Sequence, residues 1–148
     1  ENVVATENLE VNETQNPISD NEIETVNNSP NLLHAQFAMT SIKVDDELEY
    51  KIMESSIEPS TPQKNILKIK IRCINGSKYP MNFWAATFRL SIDDLPTSPF
   101  NELNELVDGN SAKDGNVDFE FPNDAKNLTF LIFSGEEKIE IPISLIEN

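Results

Sequence analysis

The sequence predicts an all-β fold, an antiparallel β-sandwich, on three observations. Apolar and polar residues alternate in several short runs, most cleanly from Asn65 to Asn75. There Leu67, Ile69, Ile71 and Cys73 alternate with Lys68, Lys70 and Arg72. A strand sends successive side chains to opposite faces, so this run has one apolar and one basic face. Turn-forming residues separate the runs every 8–12 residues or so, as a sandwich requires. Helical spacing occurs only in Phe100–Val107 and covers about two turns at most, so that segment reads as a short helix or an irregular crossing loop.

Taken in order, Phe37 and Met39 share one phase, and Ile42 and Val44 the other. The slip near Thr40-Ser41 predicts a β-bulge or a strand that changes sheets. Asp45-Asp46 marks a turn, and Leu48, Tyr50 and Ile52 form the next strand. Glu58 to Pro62 reads as a loop, because its two prolines cannot donate to a ladder. The Asn65–Asn75 strand follows and ends in Asn75-Gly76-Ser77, where Asn and Gly tolerate positive φ. From Phe83 to Ile92, Trp84, Ala86, Phe88, Leu90 and Ile92 share a face that is expected to be core, with Trp84 buried in it. Phe83, Ala85, Thr87 and Arg89 take the opposite face. Asp108-Gly109-Asn110 is a turn. Val117, Phe119 and Phe121 form a strand stopped by Pro122. Leu128–Phe133 is apolar on both faces, as suits a central strand. Ser134-Gly135-Glu136 is a hairpin turn. Ile139, Ile141, Ile143 and Leu145 then alternate, and Pro142 marks an edge strand there, open to an added peptide strand. The total of about seven strands matches an immunoglobulin-like sandwich.

The N-terminal segment differs. Residues 1–33 hold seven carboxylates, eight asparagines and no Lys or Arg. Its hydrophobes are scattered singly, so it is expected to be a disordered acidic spacer, with the sandwich domain at 34–148. The whole chain of 148 residues carries a formal charge of −15. That balance argues against nucleic acid and anionic lipid as partners. No apolar run of about 18 residues or more occurs, so no transmembrane segment is expected. No heptad or internal repeat is present. The chain opens on Glu1, as a processed or truncated chain would, and any signal peptide is expected to have been removed already.

The run from Leu106-Val107-Asp108-Gly109 through Gly115-Asn116-Val117, Phe119, Phe121-Pro122 and Ala125-Lys126 to Ile132 resembles the telokin-like family. These are bacterial extracellular and lipoprotein domains of unknown function, related to mycobacterial secreted immunoprotective antigens. In that family a glycine-bounded loop leads into a strand with a Phe, a Pro and an Ala-Lys-hydrophobic step. Ile69–Lys78 resembles its strand-Asn-turn segment, and Phe88-Arg89-Leu90 its following strand. The likeness spans Gln36 to Leu145. It implies an immunoglobulin-like sandwich, export to the extracellular space or cell surface, and often a lipid anchor, here upstream of residue 1. It implies no catalytic residues.

The residues themselves point away from an enzyme and from any cofactor. His34 is the only histidine and Cys73 the only cysteine. A Ser-His-Asp triad, a Cys-His pair or a zinc site would need more of them, or these two together. Cys73 lies on the apolar face and is expected to be an inert core residue. Four glycines form no phosphate loop. Asp45-Asp46-Glu47, Asp93-Asp94 and Asp108, Asn110 and Asp114 are carboxylate groups at turns. They leave a calcium-stabilised structural domain, or a carboxylate-dependent hydrolase, as alternative readings. The favoured reading is a non-enzymatic interaction module for an extracellular protein or glycan. Its candidate binding residues are the basic row Lys68, Lys70 and Arg72, with Phe83 as an exposed aromatic beside it; Tyr79 and Phe100 are the other aromatics expected outside the core.

Overall fold

A computed structural model describes residues 32–147, and the predicted spacer lies almost wholly outside them. The described residues form an antiparallel β-sandwich of eleven strands and one 3-10 turn. The strands are β1 (Leu33–Phe37), β2 (Ser41–Lys43), β3 (Leu48–Thr61), β4 (Lys64–Asn75), β5 (Met81–Trp84), β6 (Phe88–Ile92), β7 (Leu95–Thr97), β8 (Asn104–Val107), β9 (Ser111–Pro122), β10 (Leu128–Ser134) and β11 (Glu137–Glu147). One sheet has the order β9-β4-β3-β2, the second β1-β11-β10-β6-β7, and β5-β8 is a separate ribbon. The four strands beyond the expected seven are short pieces of three or four residues: β2, β5, β7 and β8.

The phase slip near Thr40 is a change of sheet. β1 pairs with β11, and Ala38 N–H donates to Pro142 O at 2.9 Å. The chain then crosses over, and β2 pairs with β3. Strand β4 is central in its sheet, between β9 and β3. Its Leu67, Ile69, Ile71 and Cys73 are fully buried. Strand β10 is central in the other sheet, between β11 and β6. Phe130 of β10 stacks on Phe88 at 5.7 Å and meets Phe119 edge-on across the core at 6.2 Å.

Five local expectations are corrected. The predicted loop Glu58–Pro62 is strand as far as Thr61. β3 runs beside β4 for its whole length, with a bulge between Ile52 and Glu54. Proline forbids donation, but an edge position asks for none, and among the described residues no strand flanks β3 on its outer side past Ile52. The Phe100–Val107 segment holds no helix; its second half is β8, which pairs with β5. The glycine-bounded loop before Val117 is strand from Ser111 onwards, with Gly115 opposite Ile71. Among the described residues β11 is an edge only over its first half, because β1 covers it from Ile143 to Glu147. Pro142 accepts from Ala38 on the side away from β10, so its missing donor falls where β1 ends.

The fifth correction concerns Phe83 and Trp84. Phe83 is 0% exposed and Trp84 44% exposed. Residues Ala85–Thr87 form a 3-10 turn, which shifts the alternation by one residue before β6. Phe88 and Leu90 therefore keep their predicted burial, while the pair before the turn is inverted. Gly115 supplies the space: a Cβ there would lie 2.9 Å from Phe83 Cε2 and 2.6 Å from Leu103 Cδ1. Phe83 fills that gap and contacts Tyr50 and Phe88, with ring centroids 6.2 and 6.1 Å away.

Asn75 is the one buried polar residue of the described core, 1% exposed. Its φ is not positive; its side chain does the work instead. Nδ2 donates toward Tyr79 O (2.8 Å), Val107 O (3.1 Å) and Asp108 O (3.2 Å), and Oδ1 accepts from Ser77 N–H at 3.0 Å. The side chain thereby ties the end of β4 to the end of β8. Beside it, a Cβ on Gly109 would lie 2.4 Å from the backbone carbon of Lys78, so only glycine fits there.

Candidate functional site

The predicted basic row lies on the outer face of the β9-β4-β3 sheet. Strand pairing sets the residues beside it. Asp114, Arg72 and Lys51 form one cross-strand row; Asn116, Lys70 and Glu54 the next; Asp118, Lys68 and Ser56 the third; Glu120, Ile66 and Glu58 the fourth. Directly opposed residues lie about 4.5–5.5 Å apart at Cβ, so charges in a row interact. Lys68 meets Glu58 at 3.3 Å and Lys70 meets Glu54 at 3.9 Å. Arg72 binds Asp114 through two bonds, Nε to Oδ1 at 2.7 Å and Nη2 to Oδ2 at 3.1 Å. The row is therefore a cationic stripe between two acidic ones, not a basic patch. The four rows hold four cations (Lys51, Lys68, Lys70, Arg72) and five carboxylates (Glu54, Glu58, Asp114, Asp118, Glu120). Asp118 and Glu120 alternate with Val117, Phe119 and Phe121 in β9, whereas Asp114 and Glu58 read as turn and loop residues. Their position beside β4 needed the sheet order.

The short side chains Ser56 and Asn116 leave a shallow trough between the long ones. It measures about 380 Å³ and is lined by Glu54, Ser56, Lys68, Lys70, Asn116 and Asp118, with Ser55 and Ile69 below. Asp118 in its lining and Asp114, one cross-strand row away, differ in proton affinity. The hydrogen bond from Arg72 holds Asp114 below the usual carboxylate range. Partial burial lifts Asp118 above it, opposed by Lys68 and helped by Glu58. Asp118 is partly covered because the free edge of β9 is occupied there. Phe100 N–H donates to Asp118 O at 2.9 Å, and Asp118 N–H to Asn101 Oδ1 at 2.7 Å.

Phe83 does not belong to this face. It is sealed in the core behind Gly115, so it is corrected from a surface aromatic to a packing residue. Tyr79 and Phe100 are exposed. His34 lies exposed on β1, in the opposite sheet from Cys73 on β4.

Two of the turn carboxylates, Asp45 and Asp93, are engaged by backbone. Asp45 Oδ1 accepts from Glu47 and Leu48 N–H at 2.8 and 2.9 Å. Asp93 Oδ1 accepts from Lys126 and Asn127 N–H at 2.9 and 2.8 Å. Asp114 is taken by Arg72. Among the described residues no cluster of three His, Cys, Asp or Glu side chains is placed to hold a metal.

Cys73 is fully buried opposite Tyr50. Burial pushes its thiol up to about 11 and holds the Tyr50 phenol well above its usual range, the latter offset in part by a hydrogen bond with Thr87. A thiolate is the reactive form, so Cys73 should resist thiol reagents at pH 8 until urea unfolds the domain. The unfolded thiol ionises near about 8.5 and the phenol near about 10. Both groups then favour the folded state below those values and lose that contribution as pH rises through the folded ones. Stability measured by urea unfolding should fall from about pH 8.5 upward. Cys73→Ala should flatten the profile between about pH 8.5 and about pH 10, below the range where the phenol contributes; a profile equally steep there in the variant would assign the loss elsewhere.

No protein-family model and no curated protein matches the sequence. Among solved structures, the fold is similar to that of a "putative lipoprotein" (ycdA) from Bacillus subtilis, with a TM-score of 0.53 and 18% identity over 74% of this chain. This chain spans 38% of that protein. It is also similar to an uncharacterised β-sandwich protein from Clostridium difficile, with a TM-score of 0.51 and 13% identity, over 70% of this chain and 90% of that one. At such identities the likeness establishes the sandwich fold.

Proposed function

We propose that this chain is a non-enzymatic module of an exported or cell-surface protein, and that it works by holding an extracellular protein against the outer face of the β9-β4-β3 sheet. The observation that carries this reading is the striped charge lattice around the trough. Alternating charges on a flat sheet favour a partner with the complementary pattern, and such patterns set specificity and encounter rate more than raw affinity. The two nucleophiles of the core, Cys73 and Tyr50, are sealed from solvent and held protonated, which fits a role in packing. The likeness to a protein named as a lipoprotein, with the telokin-like pattern from Leu106 to Ile132, supports a surface location with a lipid anchor upstream of residue 1. In this reading residues 1–33 are the acidic spacer between that anchor and the domain at 34–148.

The test is nuclear magnetic resonance titration of the labelled chain with surface proteins released from its host. Shift changes should cluster on Glu54, Lys68, Lys70, Arg72, Asn116 and Asp118. The double charge reversal Lys68→Glu/Lys70→Glu should abolish them without unfolding the domain, since exposed ion pairs contribute only about 0–1 kcal/mol each. Binding that survives the reversal, or changes confined to the other sheet, would overturn the reading.

A further inference from the structure

The β5-β8 ribbon carries a second surface feature, independent of the charged face. Trp84 opposes Asn104, and Asn82 opposes Leu106, so these four side chains share the ribbon's outer side. The other side, with Phe83 and Val107, is fused to the core. Trp84 stands at a depression of about 360 Å³, lined also by Ala85 and Ala86 of the 3-10 turn and by Asn101 to Asn104 of the loop before β8 and its first residue. Asn101 fixes that loop: Nδ2 donates to Asn116 O at 2.8 Å, while Oδ1 accepts from Asp118 N–H. The depression is thus braced against β9 by a loop whose backbone is itself bonded to the sheet.

We infer that this depression is a binding site for a neutral glycan, with Trp84 as the platform on which a sugar ring stacks. Three properties of the site select that chemistry. An indole left nearly half exposed beside small alanines offers a flat apolar surface of pyranose size, and the C–H face of a sugar ring is its natural complement. The side chains of Glu102 and Asn104 make no hydrogen bond or ion pair among the described residues. A carboxylate that only accepts and an amide that both donates and accepts match the hydroxyls at a ring's rim. A largely apolar surface with a few convergent polar groups is the usual form of a small-ligand site. Charge then excludes the acidic sugars. Among the described residues no Lys or Arg lines the depression; the nearby Arg89 is taken by the backbone oxygens of Ala85, Ala86 and Phe88, Glu102 lines it, and the chain as a whole carries −15. Uronates and phosphorylated sugars would be repelled, so the ligand is an uncharged hexose or N-acetylhexosamine chain.

Trp84 is the only tryptophan of the chain, so its emission reports on this site without a label. The full chain would be titrated with chitotetraose, cellotetraose, maltotetraose and mannotetraose, with tetragalacturonate as the acidic control. A saturable blue shift is expected with at least one neutral probe and none with the control. Glu102→Gln and Asn104→Ala should each weaken binding about tenfold, equivalent to about 1.4 kcal/mol. Lys68→Glu/Lys70→Glu should leave it unchanged, which separates this site from the charged face. For Trp84→Ala, calorimetry with the responding sugar should detect no binding while circular dichroism shows a folded domain. The inference is overturned by no response to any neutral probe up to about 10 mM, a range that covers even millimolar sites. Tighter binding of tetragalacturonate, or a response unaltered in the Glu102→Ala/Asn104→Ala double variant, overturns it as well.

Discussion

Phe83→Ala should destabilise the domain by about 3–5 kcal/mol, the usual range for emptying a buried aromatic site, whereas Trp84→Ala should cost about 1.5 kcal/mol or less, nearer a surface substitution. The reasoning rests on depth. Phe83 is fully buried, in ring contact with Tyr50 and Phe88, and occupies the gap above Gly115. Its removal leaves a cavity whose walls are sheet strands that cannot collapse inward. Trp84 keeps nearly half its surface in water already. The measurement is the shift in urea midpoint at constant slope, followed by far-ultraviolet circular dichroism because Trp84→Ala removes the fluorophore. A larger loss for Trp84 than for Phe83 would mean that the strand before the 3-10 turn has the opposite phase. Quenching of Trp84 emission by acrylamide in the unmodified protein gives an independent check. An exposed indole is quenched readily, and a shielded one would contradict the structure.

Asn75→Asp should be the most damaging single-atom change in the core. The carboxamide NH2 shares its two hydrogens among three carbonyls, Tyr79 O, Val107 O and Asp108 O. An ionised carboxylate would point an oxygen at all three. Asn75→Ala removes the donor without adding repulsion. It leaves Val107 O and the Ser77 N–H without the bond Asn75 gave them, while Tyr79 O keeps Ser77 Oγ and Asp108 O keeps Ser111 Oγ, and each buried orphan costs about 1–3 kcal/mol. A loss of about 3 kcal/mol or more is expected for the alanine variant. The aspartate variant should depend on pH. Burial raises the pKa of the introduced carboxyl above its unfolded value of about 3.9. Its stability should then be greatest below that pH, where the group is protonated in both states, and should fall as pH rises through the folded pKa. A flat profile between pH 3 and 7, or an alanine variant as stable as the parent, would show that this side chain is not the tie between β4 and β8.

Much of the candidate charged face was legible before the fold was known. The alternation in 65–75 put Lys68, Lys70 and Arg72 on one side of one strand, and that is where they lie. The neighbours were not legible. Whether Asp114, Asp118 and Glu120 stand beside that row depends on β9 pairing with β4, a contact more than forty residues apart in sequence. Without it the row read as a free basic strip. The Trp84 depression was hidden for a different reason. A sole tryptophan in an alternating run is normally core, and only the 3-10 turn after it reverses the phase. Gly115 was the one available signal. It occupies the inward phase of Val117, Phe119 and Phe121, where a missing side chain asks for a large one from elsewhere.

The all-β class, the central position of β4 and β10, the hairpin at Gly135, the burial of Cys73 and the phase slip near Thr40 follow from the order of residues alone. Each depends on side-chain period or on turn chemistry, which act over a few neighbours. The pairing of the basic row with two acidic strands, the strand character of Glu58–Thr61, the partial cover of β11 by β1, the core position of Phe83 and the tie made by Asn75 were decided by the tertiary structure. In each, the deciding partner is brought into place by sheet order or by close packing between layers. Local pattern cannot encode a neighbour that only the fold supplies.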